Sequence, residues 1–430
     1  MGAKPLVFIF STLMAAGVCY AGPGVDSQFQ ELNKKIDALT QTIQSLSTTV
    51  GQQQTRIESL ERENAALKAQ PPAIPPPAVS APALGQTGGR TGQSFNPDIG
   101  VLIDVTAMLS ESREDEEGND KLSVRELELL IGHDIDPYGR FDSTITLSDF
   151  EDVDIEEAYI TYWDLPWDLQ LRLGRFRQKL GKQVSVHRDQ LFTVDEPLVV
   201  ANYFGPEGLF RTGVEFSRFL PTLSDKLTQE LTAGVMEGGV GEDGSLFGET
   251  RRRPSFYVHL KNFFDISPNT SFELGGTYLR GSSDADANNE VGLFGVDATL
   301  KHKFETASRE ITLQSELYAQ QRQETVLLTD DGSFRYFNDD PYGFYTLFNY
   351  KHSIRWEFGA RYDYVQPVSL RLNGGGGADQ AYSAYATFHQ SEFVRLRAQY
   401  EHVQFASGGD DDRLMFQGTY IVGVHKHVIK

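Results

Sequence analysis

From about residue 98 to the end, the chain repeats one pattern about sixteen times: a segment of about ten residues in which apolar and polar side chains alternate, then a connection. The connections alternate too. Short ones, "DIDPYG", "DLPWD", "LPTLSD", "DISPN", "ETAS", "KH" and "SE", fall between long ones: the acidic "SESREDEEGNDK" and residues 177–208, 238–253, 281–290, 322–341, 366–380 and 406–412. A soluble sandwich has no reason to follow a short connection with a long one. An up-and-down barrel crossing a membrane does, with tight turns on one side and loops on the other.

The stretch "SIRWEFGARYDYV" at 353–365 shows the chemistry of each segment. Successive strand side chains point to opposite faces, so Ile354, Trp356, Phe358, Ala360, Tyr362 and Tyr364 share one face, and Arg355, Glu357, Gly359, Arg361 and Asp363 share the other. Hydrocarbon against the first and water against the second satisfies both. The expected fold is all-β, a 16-stranded antiparallel transmembrane β-barrel over residues 98–430, in which about ten residues per strand cross the bilayer at the usual tilt. Rows such as Phe272, Leu274 and Tyr278, or Phe294, Val296, Leu300 and Phe304, would face lipid, and Trp163, Trp167, Phe216, Phe219, Tyr350 and Phe405 near strand ends would form interface girdles. An even strand count leaves both ends of the barrel on the short-turn, periplasmic side.

Composition removes other classes. After the N-terminus no apolar run approaches the about 18 residues of a membrane helix, consistent with a mean hydropathy of −0.36. A net charge of −21 speaks against nucleic-acid binding. The chain has no G-x-S-x-G, no H-E-x-x-H and no P-loop lysine, and "NGGGGAD" at 373–379 reads as a loop, so no catalytic residue, no cofactor and no enzyme are expected.

Ahead of the barrel, Lys4 and "LVFIFSTLMAAGV" followed by "CYA" read as a secretory signal over 1–21. The single cysteine, Cys19, lies inside it; lipid attachment there is the rival reading, disfavoured by Val18. Residues 25–69 read as a coiled-coil stalk, with Leu32, Ile36, Leu39, Ile43, Leu46 and Val50 on a heptad seam that leans toward two strands. A proline- and glycine-rich linker fills 70–97.

With lipid outside, the charged rows line a lumen. Arg172, Arg355, Arg361, Arg395 and Arg397 are expected there, with Asp297, Lys301 and Lys303 on another strand. The connection 177–208 is too long to be idle and carries apolar "LVVANYF", which predicts a loop folded back into the lumen. Its start gathers Arg175, Arg177, Lys179, Lys182, His187 and Arg188, a basic cluster suited to small anions.

The segments "LQLRLGRFRQKLGK", "IDPYGRFDSTITLSDF", "EEAYITYW" and "YFGPEGLFRTGVEF" resemble the phosphate-selective porin O and P family. The resemblance implies a trimeric sixteen-stranded outer-membrane porin passing phosphate or other small anions, with Arg175, Arg177, Lys179 and Lys182 as the attracting segment. The trimer is expected over the dimer toward which the heptads lean. The mixed lumen charge and the absence of a lysine-dense, tyrosine-bearing site depart from that family, as does the ending on Lys430. His425 and His427 share a strand face without an evident third ligand, so no metal site is expected, and the acid pairs at Asp330, Asp339 and Asp410 read as loop tips near lipopolysaccharide. The sequence reading is a passive, anion-leaning channel in a Gram-negative outer membrane. Its alternatives are a non-selective or metal and small-nutrient channel, or a tether that reaches the cell wall through its stalk.

Overall fold

The computed structural model describes residues 97–111, 122–148, 152–222, 224–238, 253–282, 289–305, 308–327, 334–368 and 375–423. The signal peptide, the stalk and the linker up to residue 96, and the His425 and His427 pair, lie outside the described residues.

The alternating segments are strands, with ends within a few residues of those expected. In chain order they are β1 (Asp98–Ser110), β2 (Leu122–Asp136), β3 (Gly139–Ser148), β4 (Asp152–Leu165), β5 (Leu169–Arg177), β6 (Phe210–Leu220), β7 (Leu227–Met236), β8 (Ser255–Ser267) and β9 (Thr270–Ser282), followed by β10 (Glu290–Lys303), β11 (Glu310–Leu327), β12 (Phe334–Asp339), β13 (Tyr342–Lys351), β14 (Trp356–Val365), β15 (Asp379–His389), β16 (Val394–Gln404) and β17 (Asp410–Gly423). Neighbours pair antiparallel, and β17 returns to β1 from Gly100↔Gly423 to Ser110↔Arg413, so the single 17-stranded sheet closes on itself.

Strand β12 is the element that alternation did not show. It pairs with β11 from Arg322 to Leu327, while β13 pairs with β11 from Glu310 to Ala319, so β12 and β13 share one wall position, giving a 16-stranded barrel. The break between them falls at Asp340 and Pro341, and proline has no N–H to donate to a ladder. Following one residue round all the registers returns it to β1 displaced by about 20 positions, which for such a barrel corresponds to a tilt of about 40°.

The burial pattern is that of a soluble protein turned inside out. On β10, Phe294 and Val296 are 49% and 52% exposed, while Asp297 and Thr299 on the opposite face are 4% and 1% exposed. On β14, Trp356 and Phe358 are exposed, and Glu357, Arg361 and Asp363 are buried. The outward surface differs round the ring. It is mainly aliphatic on β1 to β5, with Ile103, Leu129, Ile131, Ile145, Ile160, Leu171 and Leu173. On β13 to β17 it is rich in rings, including Phe348, Trp356, Phe358, Tyr382, Tyr400, Phe416 and Tyr420. Where the ring closes, Asp104 of β1 accepts hydrogen bonds from Gln417 Nε2 and Thr419 Oγ1 of β17, both at 2.9 Å, and pairs with Arg125 of β2 at 2.5 Å.

Candidate functional site

The connection between β5 and β6 folds into the lumen. Its α-helix, α1 (Leu198–Phe204), has no charged residue and buries Val199, Val200, Tyr203 and Phe204. These pack against inward apolar residues of the wall, among them Leu293, Tyr318, Tyr345 and Val365, with Phe204 edge-on to Tyr318 at 4.9 Å. The apolar "LVVANYF" is thus a plug against one arc of the wall. A wall facing only water would not carry Leu293 or Val365 on its polar row.

The rest of the loop is held by polar groups. At Gly181, φ is +75°, and a Cβ there would collide with the Tyr318 hydroxyl, so only glycine lets the backbone pass this close. Tyr318 Oη donates to Leu180 O at 3.1 Å, and Glu316 Oε1 accepts from the Lys182 and Gln183 backbone N–H groups, the latter at 3.0 Å. Further along, Arg395 donates to Asp189 O at 2.5 Å, and Arg397 donates to Thr193 O at 2.6 Å and Leu191 O at 2.8 Å. Arg361 reaches Thr193 Oγ1 at 2.6 Å and Asp195 Oδ2 at 2.7 Å, and holds Asp363 of its own strand at 2.6 Å. From the other side, Arg125 donates to Val194 O at 2.5 Å and Arg188 pairs with Glu126 at 2.7 Å.

A cavity of about 480 Å³ lies open between the start of the loop and the inner faces of β4 to β10. Its charges are paired across it: Lys179 with Glu230 at 2.9 Å, and Lys182 with Glu273 at 2.6 Å, a carboxylate also reached by Lys261 at 3.2 Å. Arg172 pairs with Glu215 at 3.2 Å and stacks over the Tyr159 and Phe176 rings.

Titration of the loop follows from burial and these partners. Burial lowers the Lys182 ammonium more than Glu273 raises it. Burial and Arg177 act to lower His187, but Glu157 at 3.0 Å and Glu156 outweigh them and hold it above the ordinary histidine value. Glu196 is pushed up to about 7 by burial, which Arg188, Arg177 and Arg361 only partly oppose. Neither of its carboxylate oxygens has a hydrogen-bond partner among the described residues.

The basic residues expected to meet anions therefore fall into three groups. Arg172, Lys179 and Lys182 line the cavity. Arg177, Arg188, Arg361, Arg395 and Arg397 are engaged by protein groups; Arg177 also lines the cavity but is bound to Glu156 at 2.8 Å and stacks with Phe210. Arg175 and Arg355 are outside the lumen row. Arg175 shares the outward row of Leu171 and Leu173, 3.6 Å from half-exposed Asp154, and Arg355 lies in the exposed turn before β14. Sequence reading missed Lys261, His259, Glu230 and Glu273, although "YVHLKNFF" sets His259 and Lys261 on one face at a spacing of two.

No protein-family model matches the chain. An uncharacterised protein of Aquifex aeolicus (strain VF5) is 26% identical over 379 residues, 77% of this chain and 80% of its own length. The anion-selective porin from Comamonas acidovorans superposes with a TM-score of 0.51 at 10% identity, covering 76% of this chain and 99% of the porin. This is a porin fold. The structure of Salmonella typhi OmpF in complex with daunomycin agrees, with a TM-score of 0.50 at 13% identity over 76% of this chain and 97% of OmpF. The resemblance to the phosphate-selective O and P family thus narrows to the porin fold, with no finer membership attached.

Proposed function

We propose that the chain is an outer-membrane diffusion channel for small polar solutes with a weak preference for anions. One observation carries this: a closed barrel whose apolar residues are exposed on the outside while its charges are inside, around a cavity of about 480 Å³. Hydrocarbon is the solvent that fits such an exterior, and every backbone group of a closed barrel is satisfied within it. The anion lean rests on Arg172, Lys179, Lys182 and Lys261 facing Glu157, Glu230 and Asp297 in that cavity, with Glu273 shared by two lysines. Phosphate is one solute within this class. The pairing of each lysine with a carboxylate supports a shallow preference, since mixed charges give a transverse field and not a single-sign ring.

A homotrimer is part of the proposal. The aliphatic arc of β1 to β5 suits contact with two like copies, and the ring-rich arc of β13 to β17 suits lipid and lipopolysaccharide. The stalk and linker would then hang in the periplasm, where cell-wall contact belongs. The test is single-channel current in a planar bilayer under a salt gradient. A reversal potential displaced a few millivolts toward the anion potential, with partial block by millimolar phosphate, is expected; a barrel that inserts and never conducts overturns the channel reading in favour of a tether.

A further inference from the structure

The cavity contains an asymmetry that a simple anion lean does not use. On the inner face, Lys261 of β8, Gly275 of β9 and Asp297 of β10 stand side by side in one lateral row. The glycine leaves its place to the Asp297 carboxylate, which leans over it. At one end of the row Glu273 is shared by Lys182 at 2.6 Å and Lys261 at 3.2 Å, so two ammonium groups meet one carboxylate. At the other end Asp297 is 4% exposed and lines the cavity, and its Oδ2 accepts no hydrogen bond among the described residues. The nearest cationic candidate, His259 Nε2, is 4.0 Å from it, beyond hydrogen-bond range. A buried carboxylate oxygen without a donor is costly, and a donor brought by a solute removes that cost.

We infer that this row is a binding subsite for small dipolar solutes carrying a carboxylate and an ammonium group on a short chain. The solute carboxylate meets Lys182 and Lys261, and its ammonium meets Asp297. The backbones of β8 and β10 are separated by two strand spacings, about 10 Å, a span that long lysine side chains and a short dipolar solute can bridge. The inference names a solute class for the proposed channel and rests on that reading only in requiring that water reach the cavity.

The test uses the full barrel in detergent and three probes of one carbon skeleton: 4-aminobutyrate, butyrate and butylamine, titrated by calorimetry. The expected result is 4-aminobutyrate binding at least tenfold tighter than either single-charge probe. Asp297→Asn should bring 4-aminobutyrate down to the level of butyrate, and Lys261→Gln should bring it down toward butylamine. Heat-modifiable electrophoretic mobility confirms that each variant is a folded barrel, and the two variants fail in opposite directions only if the dipole is read as described. Equal binding of 4-aminobutyrate and butyrate to the unsubstituted protein, or unchanged preference in folded Asp297→Asn, overturns the subsite. Either result leaves conductance intact and the channel reading standing, whereas a non-conducting barrel that binds 4-aminobutyrate sinks the channel and keeps the subsite.

Discussion

On the arc from β14 to β17, three guanidinium groups, Arg361, Arg395 and Arg397, end on oxygens of the inward loop, and all three are nearly without exposure. On the arc from β7 to β10 a lysine of the wall, Lys261, faces the loop's Lys179 and Lys182, and each of these ammonium groups meets a carboxylate at the edge of open space. The two arcs carry the same sign of charge on the same kind of row. They differ in what docks on them. A guanidinium offers several donors in a fixed fork and can take two or three carbonyls at once, which suits it to fastening a loop. An ammonium is a compact charge whose donors remain partly available to water and solutes. One arc is a fastening and the other a lining, and a count of positive residues cannot tell them apart.

That contrast is open to attack at several points. The largest effect is expected at Arg361→Met, which leaves Asp195, Asp363 and Glu401 facing one another in a buried site; breaking such a cluster costs about 3–5 kcal/mol, and the temperature at which the unheated electrophoretic form is lost should drop clearly. The loop should also loosen, raising single-channel conductance. An Arg361→Met barrel with unchanged heat stability would mean that the fastening is illusory. Next comes Gly181→Ala, where the left-handed backbone and the Tyr318 hydroxyl both oppose a side chain; a loss of about 1–2 kcal/mol and a similar but smaller drop in that temperature are expected.

On the lining arc the outcome should separate from stability. Lys179→Gln with Lys182→Gln should move the reversal potential toward cations with a smaller loss of heat stability than Arg361→Met, since Glu273 keeps Lys261 as a partner. Arg175→Gln and Arg355→Gln should leave the reversal potential where it was, since neither faces the lumen. A shift from Arg175→Gln as large as that from the lysines would break the assignment of the lining.

The smallest effect is in pH. Glu196 has a folded pKa raised above its unfolded value, so the unfolded loop ionises first and the packed loop loses stability as pH rises from about 4.5 to about 7. His187, also raised, contributes stability that is fully present below its unfolded value near 6.5 and is lost as pH rises through its folded value. Both act in one direction. Amide hydrogen exchange across residues 187–196 should quicken between pH 5 and 8 beyond its intrinsic rate, and Glu196→Gln should remove the part of that change below pH 7.

The wall was legible because two independent signals, side-chain period and connection length, agree along the chain. The facing of Arg361 and Asp363 followed from alternation alone, as did the lipid row of Phe294, Val296 and Leu300. Arg175 is legible too: three residues from Arg172, it cannot share that residue's face on a strand. Arg355 matches the parity of Arg361 but precedes the first residue of β14, and strand ends are the weakest part of such a reading. What alternation cannot carry is the identity of the group opposite. Arg395 and Arg397 look like pore residues until the loop carbonyls of Asp189, Leu191 and Thr193 are in place, and those lie some two hundred positions earlier in the chain. Strand β12 is hidden for a local reason, since six residues followed by the Asp340–Pro341 step give too short a period to count.

The Asp104 clasp has a consequence for biogenesis. Its partner Thr419 is 315 positions away, so the ring can shut only after nearly the whole polypeptide has been exported and lined up. Until then two raw edges face the bilayer, each with unmet N–H and C=O groups that lipid cannot satisfy. A product cut short before β17 is thus not a smaller channel but an unfinished sheet, fit for degradation.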